Sequence, residues 1–189
     1  MKFVGYHGTS ELSTKKILEG KYNLSIGDIE WLGDGVYFFI NGVSSKPDIQ
    51  AEKWSIASSW DKINRKYQYN NYCVLKSNIE VDDNYLLDLT NEDGIEILSF
   101  LAEKFNKKIA KTGRKLNCLD GLLINLAREE NLLRVDIVKG NVYIKFTEER
   151  IRNINLRTSN STICSVYNSE CIIDSRIVKT GKIKEDEIN

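Results

Sequence analysis

Three short runs carry residue types that could do chemistry together. Tyr6-His7-Gly8-Thr9 holds the one histidine of the chain. A neutral imidazole offers one hydrogen-bond donor and one acceptor, and a glycine beside it lets a ligand come close to the backbone N–H and C=O. Trp31-Leu32-Gly33-Asp34-Gly35-Val36-Tyr37-Phe38-Phe39 sets a Gly-x-Gly turn ahead of an aromatic strand. The two runs read as sheet edges framing a slot for a flat polar ring. The third run, Asn168-Ser169-Glu170-Cys171-Ile172-Ile173, puts a carboxylate on a strand face shared with Ile172, directly before apolar residues. That is a costly place for a charge unless it faces a cleft. Each run also has a plainer reading: His7 as a satisfied core histidine, Phe38 and Phe39 as ordinary packing, and Glu170 as a strand-edge carboxylate in water.

Gly33 and Gly35 do not make a dinucleotide fingerprint, because a third glycine is missing and a strand follows rather than a helix. Alternation along that strand puts Tyr37 and Phe39 on one face and Phe38 on the other.

The elements that must hold these residues follow from periodicity and punctuation. After the His7 strand, Ser10 and Ser13 are candidate N-caps of a short helix that turns Leu12, Ile17 and Leu18 inward and stops at Gly20. A polar loop, Lys21 to Glu30, leads to the glycine pair and the strand Val36 to Ile40. A second loop, Asn41 to Gln50, contains Pro47, and a helix follows from Ala51 to Trp60 with Trp54 and Ala57 or Ser58 on one face. Strands are expected at Cys73–Lys76, Ile79–Val81 and Tyr85–Thr90. Thr90 or Asn91 then caps a helix carrying Ile95, Leu98, Leu101, Ala102 and Phe105, with another from Leu119 to Glu130. Strands at Val135–Val138 and Val142–Phe146 are joined by a tight turn at Lys139-Gly140-Asn141. Two more strands occupy the β-branched stretch from Thr162 to Val178.

At 189 residues, with 27 basic and 27 acidic side chains, the chain is sized for one domain and has no global field drawing it to nucleic acid or an anionic membrane. The expected boundaries are a single domain over 1–181 and a charged, frayed tail over 182–189. Cys73, Cys118, Cys164 and Cys171 have neither Cys-x-x-Cys nor metal-ligand spacing, so they read as buried reduced thiols and no metal is expected. Without a signal-like or membrane-spanning segment, the expectation is a soluble cytoplasmic protein with no membrane partner.

Taken in order, His7-Gly8-Thr9, Gly33-Asp34-Gly35-Val36-Tyr37-Phe38 and Asn168 to Ile173 resemble the three signature strands of the poly(ADP-ribose) polymerase-like, or diphtheria-toxin-like, ADP-ribosyltransferases, the H-Y-E enzymes. The matched residues are few, but they bracket almost the whole chain. The resemblance implies an α+β fold, the ADP-ribosyltransferase fold, with a split antiparallel β core, flanking helices and a helical insertion. NAD would lie as substrate in the cleft between the halves.

Carried onto this sequence, the NAD-binding residues are His7, Gly8, Thr9, Tyr37 and Trp54. His7 would bond a ribose hydroxyl, the Gly8 backbone would pair with the carboxamide, and Tyr37 and Trp54 would sandwich nicotinamide. Trp54 as simple helix packing remains open. Glu170 would be the catalytic carboxylate, although Cys171 follows it where those enzymes usually have an aromatic residue.

The implied activity is transfer of one ADP-ribose from NAD to a protein, RNA or DNA acceptor, as in a small bacterial toxin, effector or phage-defence protein with a possible neutralising antitoxin. Two other readings compete with it: an NAD glycohydrolase, and a silent module that binds NAD or ADP-ribose. The acceptor-facing loop is expected at Asn155 to Val166, with Arg150, Arg152 and Arg157 as a basic cluster beside it or as solvated surface.

Overall fold

The structure, a computed structural model, describes residues 1–20, 22–110, 119–146 and 160–183. It is an α+β protein with a large, mostly antiparallel sheet and four helices. In chain order the elements are β1 (Lys2–Ser10), α1 (Glu11–Leu18), β2 (Val36–Ile40), α2 (Pro47–Ser59), β3 (Trp60–Asp61), β4 (Lys66–Tyr67), β5 (Asn71–Glu80), β6 (Leu86–Asp88), α3 (Glu92–Ala110), α4 (Leu119–Glu129), β7 (Ile137–Tyr143), β8 (Asn160–Val166) and β9 (Ile172–Lys182). Seven strands pair in the order β6-β7-β8-β2-β1-β5-β9, and β3 and β4 form a separate small hairpin. Among the described strands only β6 and β7 run parallel.

The pairing is uneven where it matters. β1 runs against β5 from Lys2↔Glu80 to Ser10↔Tyr72, yet against β2 it pairs only at Gly5↔Ile40 and Tyr6↔Phe39. The sheet therefore forks between β1 and β2 just before His7. Helices α3 and α4 lie between β6 and β7 along the chain.

Apolar side chains pack on both faces of the sheet. Ala51 of α2 and Ile124 of α4 join Leu32, Phe39, Val74 and Ile163 in one cluster. A second cluster, around Phe38, Ile79, Cys164 and Cys171, contains no α-helical residue. Because β2 and β8 are covered on both faces, their sequences do not alternate between apolar and polar.

Several expectations are corrected here. β5 is one ten-residue strand rather than two. β7 continues through Lys139-Gly140-Asn141, where a hairpin turn is expected from the sequence. Gly140 is there because Leu32 presses on the strand, its Cδ2 only 2.9 Å from where a Cβ would stand. The two expectations that overlap at Thr162–Val166 are resolved for the strand: Asn160–Val166 is a central strand buried from Ser161 onward, so the expected acceptor-facing loop does not include it. Arg150, Arg152, Arg157, Cys118 and residues 184–189 lie outside the described residues.

In α1, Ser10 caps as expected, its Oγ accepting from Ser13 N at 3.0 Å. The inward residues, however, are Thr14 and Ile17, while Leu12 and Leu18 are 68% and 47% exposed. Ile95 of α3 is likewise exposed. α2 begins at Pro47 rather than Ala51, since proline's fixed φ suits the first helical position. Lys182 and the buried Ile183 belong to the ordered domain rather than to a tail. Cys73, Cys164 and Cys171 are free and buried. No helix among the described residues is long and apolar enough to cross a membrane.

Candidate functional site

The fork leaves β1 and β2 to complete each other with side chains. His7 Nδ1 lies 2.8 Å from the Tyr37 carbonyl oxygen. A carbonyl can only accept, so Nδ1 carries the proton and Nε2 presents a lone pair. Burial pushes the His7 pKa below its ordinary 6.5, with the bond to the Tyr37 carbonyl as a smaller opposing effect, so the ring is held neutral near pH 7. Tyr22 stands edge-on to the imidazole with 6.0 Å between ring centres, and Phe38 is tilted against it at 5.7 Å. Gly8 is next along β1. It must be glycine because the backbone carbonyl of Ala51 in α2 passes where a Cβ would stand.

The turn before β2 is fixed from inside. Tyr37 Oη donates to the Gly33 carbonyl at 2.6 Å and accepts from Leu32 N at 2.9 Å. Gly33 has φ +79° and Gly35 φ +156°, backbone that L side chains rarely adopt. From outside, helix α4 grips the same turn. Asp34 N donates to Asn125 Oδ1 at 3.0 Å, and Asn125 Nδ2 donates to Asp34 Oδ1 at 3.0 Å. Tyr167 Oη donates to the Leu32 carbonyl at 2.6 Å, and the Arg128 guanidinium lies 4.0 Å above the Tyr167 ring centre. The insertion thus positions the loop that enters the fork.

That loop delivers Trp31. Its indole packs against Trp54 at 5.2 Å between ring centres and stands edge-on to Tyr37 at 6.2 Å, so the three rings make one aromatic wall. The pocket at the fork encloses about 90 Å³ and is lined by His7, Gly8, Glu30, Trp31, Tyr37 and Trp54 among others. This is the scale of one ring, well below the roughly 300–1,000 Å³ that buries a whole drug-sized ligand.

Four of the residues singled out from sequence meet there: His7, Gly8, Tyr37 and Trp54. Thr9 does not, and instead lines a separate surface groove with Leu12, Tyr69 and Asn71. Glu170 does not line the pocket either. The expectation that it shares a strand face with Ile172 is corrected: it sits in a one-turn 3₁₀ helix, Ser169–Cys171, capped by Asn168, whose side chain accepts from Glu170 N at 3.1 Å. Its side chain is exposed. Its neighbour Cys171 packs in the cluster that contains Val36 and Phe38 of the pocket wall.

Among the lining residues given no role from the sequence are Glu30 and Trp31. The available signal was an acid and an indole standing side by side at the entrance to the Gly-x-Gly turn. Burial, and after it the neighbouring charge of Asp34, raises the pKa of the Glu30 carboxyl above its ordinary range.

No family model matches the chain, and no solved structure does. The chain is similar to the uncharacterized protein MJ0359 of Methanocaldococcus jannaschii, at 32% identity over 146 residues. The match covers 71% of this chain and 62% of that protein, so the chain spans less than two thirds of the relative's length.

Proposed function

We propose that the protein is an NAD-dependent mono-ADP-ribosyltransferase of the H-Y-E kind, with the ring pocket at the β1/β2 fork receiving nicotinamide. The observation that carries this reading is the joint placement of His7, Gly8, Tyr37 and Trp54 around one small pocket. A neutral His7 whose Nε2 can accept from a hydroxyl fits a ribose beside the ring, and the unladdered edge of β1 at Gly8 fits a carboxamide.

The reaction breaks the bond between ribose C1′ and the pyridinium nitrogen. The electron pair leaves with the nitrogen, so nicotinamide departs neutral and needs no general acid. The acceptor's nucleophile bonds to C1′ and gives up its proton. Positive charge grows on the ribose as the bond breaks, and a preorganised carboxylate stabilises it. Glu170 has that role in this reading, bonding the 2′-hydroxyl from the exposed head of β9. The ring pocket is far too small to hold the ribose and diphosphate as well, so these must lie outside it.

The test is incubation with NAD labelled in its adenylate half, offering protein, RNA and DNA acceptors and separating free ADP-ribose from macromolecule-bound label. Bound label with released nicotinamide is the expected result. Free ADP-ribose alone would convert the reading to NAD hydrolysis, and intact NAD with every acceptor would refute both enzymatic readings.

A further inference from the structure

The wall of the ring pocket has a charge asymmetry that the proposed reaction does not itself require. Three aromatic rings, those of Trp31, Tyr37 and Trp54, stand beside one carboxylate, Glu30. No lysine or arginine is among the described residues that line the pocket, and the His7 ring is neutral there. No described residue donates a hydrogen bond or an ion pair to the Glu30 carboxylate. Glu30 is itself a lining residue of the pocket, next in sequence to Trp31. Asp34 adds a second negative charge close by.

Aromatic faces attract cations through their negative quadrupole, and the attraction strengthens once both partners are shielded from water. A carboxylate in a half-buried site adds a Coulombic preference of the same sign. Flat, aromatic-walled and negative, the pocket matches a planar cation.

We infer that Glu30, with Trp31, Tyr37 and Trp54, forms a charge-selective cage for an N-alkylated pyridinium, so that the pocket prefers the positively charged ring of oxidised NAD to the neutral ring of free nicotinamide or reduced NAD. The inference rests on the NAD reading for its biological ligand but concerns ring recognition rather than turnover. It names Glu30 as the specificity-determining residue. It also gives product release a driving force, because the ring loses its charge when the bond to ribose breaks.

The experiment compares two probes of nearly the same shape, N-methylnicotinamide, which is cationic, and nicotinamide, which is neutral. Binding to the wild-type chain is followed by quenching of tryptophan fluorescence. The expected result is at least about tenfold tighter binding of the cation. In Glu30→Gln that ratio falls severalfold, leaving only the share of the aromatic faces, with nicotinamide affinity unchanged and the thermal melt retained. The wild-type ratio needs no variant, and oxidised against reduced NAD gives the same comparison on the whole dinucleotide.

Equal affinity of the wild-type chain for both rings, failure of either ring to bind, or a folded Glu30→Gln variant that keeps the ratio would each overturn the cage. A cation preference without NAD turnover would refute the proposed reaction and leave the cage standing. Turnover without the preference would do the reverse.

Discussion

The imidazole of His7 donates to the backbone carbonyl of Tyr37 at the first position where β1 and β2 cease to pair, replacing a ladder bond with a side chain. Because the ring is held neutral by burial, its folded pKa lies below the unfolded value of 6.5. Between the two values the unfolded chain binds the extra proton. Stability from this site is therefore complete above about pH 6.5 and falls as the solution is acidified through that window. Urea unfolding at pH 7.5 and pH 5.5 should show a larger loss for the wild-type chain than for His7→Gln. Equal losses would mean that His7 does not titrate on unfolding.

Tyr37→Phe keeps the ring and deletes the hydroxyl, leaving Leu32 N–H and the Gly33 carbonyl without their partner. The expected cost is about 1–3 kcal/mol in chemical denaturation. Ring binding should weaken as well, because the turn that presents Trp31 loses its inner brace. A variant as stable as wild type would show that the two bonds are replaced by water.

Asn125→Ala acts at a distance in sequence. It removes both bonds between α4 and Asp34 without touching a residue that lines the pocket. The loop from 24 to 34 should become more open to limited proteolysis, and indole emission should shift to the red as Trp31 loosens. Unchanged cleavage and emission would show that Tyr37 and Tyr167 secure the turn without Asn125.

Glu170→Gln separates the reacting carboxylate from the ring pocket. Nicotinamide and NAD should still bind, since the side chain is exposed and outside that pocket. Transfer should fall by on the order of 10²-fold, the usual cost of removing one preorganised electrostatic group. Undiminished transfer would remove Glu170 from the mechanism.

What the sequence made legible depended on how many faces an element buries. β2 was readable because Val36 to Ile40 is almost wholly apolar, and α1 because Ser10 caps it. β8 was half legible: its β-branched residues from Thr162 read as a strand, but Ser161, Thr162 and Ser165 also read as loop residues, whereas they are buried at the sheet centre, with Thr162 bonding Asn141 and accepting from Val43 N, and Ser165 donating to the Asp34 carbonyl. Gly140 imitated a turn because the Leu32 side chain that requires it is a hundred residues away in sequence. His7, Gly8 and Tyr37 could be singled out from their own chemistry and position, whereas Trp54 entered only through the resemblance. Glu30 and Trp31 acquire meaning only from the loop's path into the fork, which α4 dictates.

The central position of β8 has a consequence for biogenesis. β2 pairs with β8 from Val36 to Phe39, and Ile163 of β8 also lines the ring pocket. A ribosome delivers that partner more than a hundred residues after β2. Until then the Val36–Ile40 segment has an open, greasy flank, and long-range pairing of this kind closes slowly. The nascent polypeptide therefore passes through a stage that favours chaperone capture, and the wall of the ring pocket is complete only after translation has passed β8.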